Sequence, residues 1–229
     1  MTAPAERQPA YVLHRRAYRE TSSIVDFLTV EHGRVAGVAR GTRGGRARPV
    51  EPFTRLEVGW RGKGRMVTVT ACETVHRWRL DGRRLFAGMY LNELMMRALP
   101  PEEEVADLFR VYEAALAALE ADDDIEPILR VFEKCLLREI GYGLTFDVDA
   151  ADGGTVRDDQ VYEFVDGEGF HAVAAGTPDA WRGAVLKGIA NDRYDAPGVR
   201  RAAKAILRRA LKPHLGDRPL ASRELFRRG

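Results

Sequence analysis

Residues 22–39, Ser22-Ser-Ile-Val-Asp-Phe-Leu-Thr-Val-Glu-His-Gly-Arg-Val-Ala-Gly-Val-Ala39, decide how the first third of the chain is read. The stretch holds two short apolar runs, SSIVDFLTV and RVAGVA, separated at His32-Gly33. Both are too short for a stable helix, both are rich in valine or other β-formers, and the glycine break supplies turn chemistry, so the pattern predicts two strands. Working outward, YVL begins at Tyr11, TRLEVGW covers 54–60 and RMVTVTACETV covers 65–75, bounded by glycine clusters at 41–45 and 59–64. Five strand-like runs within about 70 residues suit a small closed barrel.

Among small barrels, the five-stranded OB-fold most often offers a face and loops to nucleic acid, while spacing alone leaves an SH3-like barrel open. From Leu85 the period changes. LFAGMYLNELMMRAL carries Leu85, Met89, Leu91, Leu94, Met95 and Leu99 on one broad face and stops at Pro100-Pro101, which predicts a helix. Further helices are expected over 102–119, from Pro127 to Gly141, over 179–189 and over 197–211. Between them, VYEFVDGEGFHAV reads as a hairpin turning at Asp166-Gly167. The expected fold is therefore α+β: a barrel domain over 1–80, then a helical domain over 81–229 with an irregular hairpin module inserted at about 143–174.

The 229 residues, 45% hydrophobic and 31% charged, are ordinary for a soluble globular protein. No apolar run has the length of a membrane span and the first residues lack the pattern of a secretory signal, so a cytosolic protein is expected. Cys72 and Cys135 are too few for a disulfide framework and read as buried free thiols. The formal net charge of +2 averages over unlike segments. Residues 1–80 hold 15 Lys/Arg against 7 Asp/Glu, residues 100–170 hold 5 against 20, and residues 171–229 hold 13 against 5. A chain that runs basic, acidic, basic suggests a surface built for a polyanion, offset by an acidic region elsewhere.

Catalytic signatures are missing: the sequence contains no GxxxxGK[ST], HExxH or GxSxG pattern, and the five histidines lack metal-ligand spacing. No catalytic residue, cofactor or metal is expected. The acidic groups Asp122 to Asp124 and Asp158-Asp159 would serve a two-metal nuclease only if the fold set them beside the basic surface.

Two basic clusters remain. In the barrel, Arg15, Arg16, Arg19, Arg34, Arg40, Arg43, Arg46, Arg48, Arg61, Lys63 and Arg65 fall at strand ends and in glycine-rich loops, where a groove following a phosphate backbone would need them. Tyr18, Phe53 and Trp60 could stack bases or lie in the core, the core suiting Phe53 better. Near the end, Arg200, Arg201, Lys204, Arg208, Arg209 and Lys212 recur at helical spacing opposite Val199, Ile206 and Leu211, which fits either a second phosphate contact or a solvated face.

At this point the chain resembles the bacterial RecO family of recombination mediators. The resemblance rests on VLHRRAYRETSSIVDFLTVEHGRV (12–35), on ARG with the following basic loop and EPF (39–53), on YLNELMMRALP (90–100), on FEKCLLREIGYG (132–143) and on LKPHLGDRPLASRELFRR (211–228). It implies an N-terminal OB-fold, a helical domain, and an inserted module that binds zinc through four cysteines in some members. Residues 143–170 contain no cysteine, so zinc is not expected here. The resemblance also implies binding of single- and double-stranded DNA, annealing of complementary strands, and action with RecR to load RecA onto DNA coated by single-stranded DNA-binding protein (SSB). Contact with the acidic C-terminal tail of SSB would need an apolar cleft rimmed by arginine. Leu91, Leu94, Phe132 and Leu136 beside Arg97 and Arg130 could supply it, or could equally be core residues with two surface arginines. A cytoplasmic, nucleoid-associated protein follows from this reading. An OB-fold RNA-binding module of translation or RNA turnover is the alternative.

Overall fold

A computed structural model describes residues 7–42, 50–64, 66–122 and 124–228. Five strands, β1 (Gln8–Tyr18), β2 (Ser22–Thr29), β3 (Gly33–Ala39), β4 (Thr54–Arg61) and β5 (Val67–Arg77), close into a barrel of order β1-β2-β3-β5-β4. Neighbours pair antiparallel except β3 and β5, which run parallel over Gly37↔Val67 and Val38↔Thr68. This is the OB-fold barrel. Side chains alternate between inside and outside, and Val12, Val25, Phe27, Val35, Leu56, Val58, Trp60 and Val67 fill the interior. Gly37 stands inward where β3 meets β5; a Cβ there would come within 2.9 Å of Val69 and 3.2 Å of Val67. A side chain at this position would push apart the short parallel pairing that closes the barrel.

The barrel shares one compact unit, Met1–Asp123 with Asp217–Gly229, with helices α1 (Gly82–Ala98), α2 (Ala106–Ala121) and α6 (Ala221–Arg228). Helices α1, α2 and α6 thus pack with the barrel. The reason lies in what the outer side of β1 touches. The Tyr11 ring packs against Trp78, Phe109 and Tyr112 with centroids 5.5, 4.8 and 5.1 Å away. Asn92 of α1 donates to the Leu13 carbonyl at 2.8 Å and accepts from the Tyr112 hydroxyl at 2.6 Å. Strand β2 is buried along its whole length, whereas the outward positions of β3 are part-exposed.

Helix α6 was not expected from the sequence. Its first turn is capped from α1: Glu93 accepts from the amides of Ala221 and Ser222 at 3.0 and 2.9 Å and from the Ser222 hydroxyl at 2.7 Å. Free N–H groups at a helix start need such an acceptor. Arg97 bonds Glu93 at 2.5 Å and donates to the carbonyls of Arg218 and Pro219. The ring of Phe226 meets Phe86 edge-on.

The second unit, Asp124–Gly216, holds α3 (Ile125–Glu139), α4 (Gly183–Ala190), α5 (Val199–Leu211) and a small antiparallel sheet of order β7-β6-β8. Strands β6 (Val161–Val165) and β7 (Gly169–Val173) form the expected hairpin. Strand β8 (Ala180–Arg182) occupies the start of the segment expected to be helical. The module is centred on Phe146, Phe164 and Phe170, whose rings lie 5.1 and 5.4 Å apart. With aromatics at its centre and no cysteine between residues 143 and 182, the module does not fit a four-thiolate zinc site.

Candidate nucleic-acid interface

Paired residues in a sheet share a side, so the register shows which cations look outward together. One row runs Arg16–Ile24–Val38–Thr68–Arg61 across all five strands. On β3, alternation puts Arg34, Ala36 and Val38 outside and Val35, Gly37 and Ala39 inside. Arg40 follows directly, six residues beyond Arg34, a separation of about 20 Å along extended chain. Lys63 is exposed in the β4–β5 turn. Arg15 pairs with Val25, an inward position, and is half-buried.

Arg40 joins two open grooves. One, of about 820 Å³, runs between the end of β3 and the second half of β5, past Thr42, Thr54, Cys72 and Arg77. The other, of about 680 Å³, lies among Arg19, Glu20, Thr21, Ser22 and Arg40. Arg19 stacks over the Tyr18 ring at 5.2 Å, and Tyr18 is half-exposed at the rim. Phe53 and Trp60, considered as stacking platforms, are each only 6% exposed and belong to the core. Arg43, Arg46, Arg48 and Arg65 lie outside the described residues.

Charge pairing separates the two basic clusters. Among the described residues, Arg15, Arg16, Arg34, Arg40, Arg61 and Lys63 have no ion-pair partner. On α5, Arg200 grips Asp124 with two bonds of 2.8 and 2.7 Å, Lys204 bonds Glu126 at 2.6 Å, and Arg209 bonds Asp166 at 3.1 Å. Burial alone would raise the Glu126 carboxyl, but the bond from Lys204 and the surrounding cations hold it below its ordinary value. Arg201 lies over the Trp181 ring at 5.9 Å, while Arg208 and Lys212 are exposed. Part of the acidic middle of the sequence therefore neutralises the basic helix of its own unit.

The expected SSB-tail pocket is not formed by the six residues named for it. Leu91, Leu94, Phe132 and Leu136 are all 0% exposed, filling cores instead of lining a cleft. Arg97 is occupied by Glu93 and the carbonyls that precede α6. Arg130 is 2% exposed and paired with the buried Glu133 at 2.8 Å. Sequence periodicity marked these positions as apolar or basic on a helix but could not tell a filled face from an open one. The nuclease alternative gains nothing: Asp158 is paired with Lys187 at 2.7 Å, and no metal-holding group of His, Cys, Asp or Glu occurs among the described residues.

The whole chain is similar in sequence to known proteins. Residues 1–78 match the family model described as Recombination protein O N terminal, and residues 79–224 match Recombination protein O C terminal. The DNA repair protein RecO of Pseudomonas aeruginosa is 44% identical over 223 residues, covering 97% of this chain and 95% of that protein. Those of Pseudomonas entomophila and Cellvibrio japonicus are 45% and 43% identical, covering 100% and 97% of the chain and 100% and 97% of the relatives. Among the described residues no helix is long and apolar enough to cross a membrane.

Proposed function

The chain belongs to the RecO family of recombination and repair proteins, and from that premise we propose that it is a DNA-binding, strand-annealing mediator of recombinational repair. It binds single- and double-stranded DNA, contacts SSB, and with RecR helps load RecA onto SSB-coated single strands at the bacterial nucleoid. The observation that carries this reading is that, among the described residues, Arg15, Arg16, Arg34, Arg40, Arg61 and Lys63 of the barrel have no carboxylate partner, while Arg200, Lys204 and Arg209 of α5 are paired. Cations already neutralised within the fold release few DNA counterions, whereas unpaired ones on an open sheet surface are available to phosphates.

Annealing asks for no covalent chemistry. Two polyanions must be brought together with their repulsion screened and no sequence read, which an arginine-rich sheet surface does and a base-reading helix would not. The test is annealing of complementary oligonucleotides pre-coated with SSB. Acceleration by the purified protein at low salt, diminishing as salt rises, is the expected result. No acceleration across a protein titration overturns the proposal, and preference for RNA over DNA oligonucleotides of equal sequence would favour the translation or RNA-turnover alternative.

A further inference from the structure

The open barrel surface is not uniformly charged. Met66 is 45% exposed at the entry to β5, one of the few large apolar side chains left on the surface of the described residues. Val67 turns inward at 5% exposure, so alternation points Met66 and Thr68 outward. Met66 directly precedes β5, whose parallel register with β3, Gly37↔Val67 and Val38↔Thr68, starts one residue after Ala36. Gly62 and Gly64, with φ of 101° and 85°, supply the left-handed backbone of the turn before it. The result is an apolar strip of Ala36, Val38 and Met66 bracketed by Arg34 on β3, Arg40 just after it and Arg61 on β4.

A surface made only for phosphates has no use for an apolar centre, because duplex DNA hides its base faces in the stack. A single strand presents those faces, and a low sheet floor with a polarisable thioether gives them something to lie on. Resting on the DNA-binding reading above, we infer that the strip of Ala36, Val38 and Met66 is a base-face platform, and that through it the barrel prefers single-stranded to duplex DNA. The arginines hold the phosphates on either side, so affinity comes from them and the preference comes from the strip.

The experiment uses the full chain and its Met66→Ser variant. Each is titrated against a labelled oligothymidylate, an abasic strand of equal length and a blunt duplex of equal length at one salt concentration. Thymidylate binding is expected to weaken about fivefold in the variant, with abasic-strand and duplex affinities unchanged. Equal loss on all three probes, or no loss on thymidylate, overturns the platform. If the unaltered protein binds none of the probes, the DNA-binding reading fails first. If it binds them but Met66→Ser changes nothing, only the platform fails.

Discussion

Glu93 gathers hydrogen bonds from two backbone amides, one hydroxyl and one guanidinium, and so a single carboxylate fastens the start of α6. Burial works to raise its pKa, but the Ser222 and Ala221 bonds and the Arg97 charge outweigh burial and hold the carboxyl below its ordinary value. A depressed carboxyl stabilises the fold above its unfolded pKa and loses that contribution as pH falls through the lower folded value. Hydrogen exchange should show α6 protected at neutral pH and opening only in acid, as the pH falls past the ordinary carboxylate range. Glu93→Gln should open it at neutral pH with little further dependence on acid. Unchanged protection in the variant would remove Glu93 from this role. Arg130 and Glu133 make a second residue-scale case. Removing one partner of a buried pair leaves an uncompensated charge, so Glu133→Ala should cost about 3–5 kcal/mol in chemical denaturation, and Arg130→Glu should unfold the protein before any effect on a partner could be read. Neither acid was legible in the sequence, where each is one more glutamate on a helix. A start signal for α6 was present, since a proline and then Glu224 in the first turn mark a helix opening.

Among elements, strands were easier to read than partners. Short apolar runs rich in β-formers and broken at glycine over 22–39 predicted β2 and β3, and similar runs around them predicted the other three, because such runs and breaks are local to the sequence whatever the tertiary contacts. β8 was missed because three residues running straight into α4 carry no period of their own. Helix α5 was legible in its buried stripe of Val199, Ile206 and Leu211 but not in its charges, whose carboxylate partners stand 43 to 78 residues away. This difference can be measured. The double variant Arg200→Ala with Lys204→Ala should lower the thermal midpoint slightly and leave DNA affinity unchanged, since exposed ion pairs contribute little to stability and paired cations contribute little to DNA binding. A loss of DNA affinity as large as that from barrel variants would make α5 part of the interface.

For the whole molecule, a formal charge of +2 conceals an uneven distribution. The acidic middle supplies Asp124, Glu126 and Asp166 to α5, whereas Arg15, Arg16, Arg34, Arg40, Arg61 and Lys63 of the barrel have no carboxylate partner among the described residues. Counting charge along the sequence located the asymmetry but treated both basic ends alike, because pairing across a fold is a three-dimensional fact. The deciding property is therefore which basic end meets DNA. The most direct measurement is the salt dependence of single-strand binding for the unaltered chain, for Arg34→Ala/Arg40→Ala/Arg61→Ala, and for Arg200→Ala/Lys204→Ala/Arg209→Ala. The barrel triple should lower the slope of log K against log salt by about 2, at roughly 0.7 for each phosphate no longer neutralised, while the α5 triple leaves it unchanged. A slope that falls with the α5 triple and holds with the barrel triple would contradict DNA binding through the barrel.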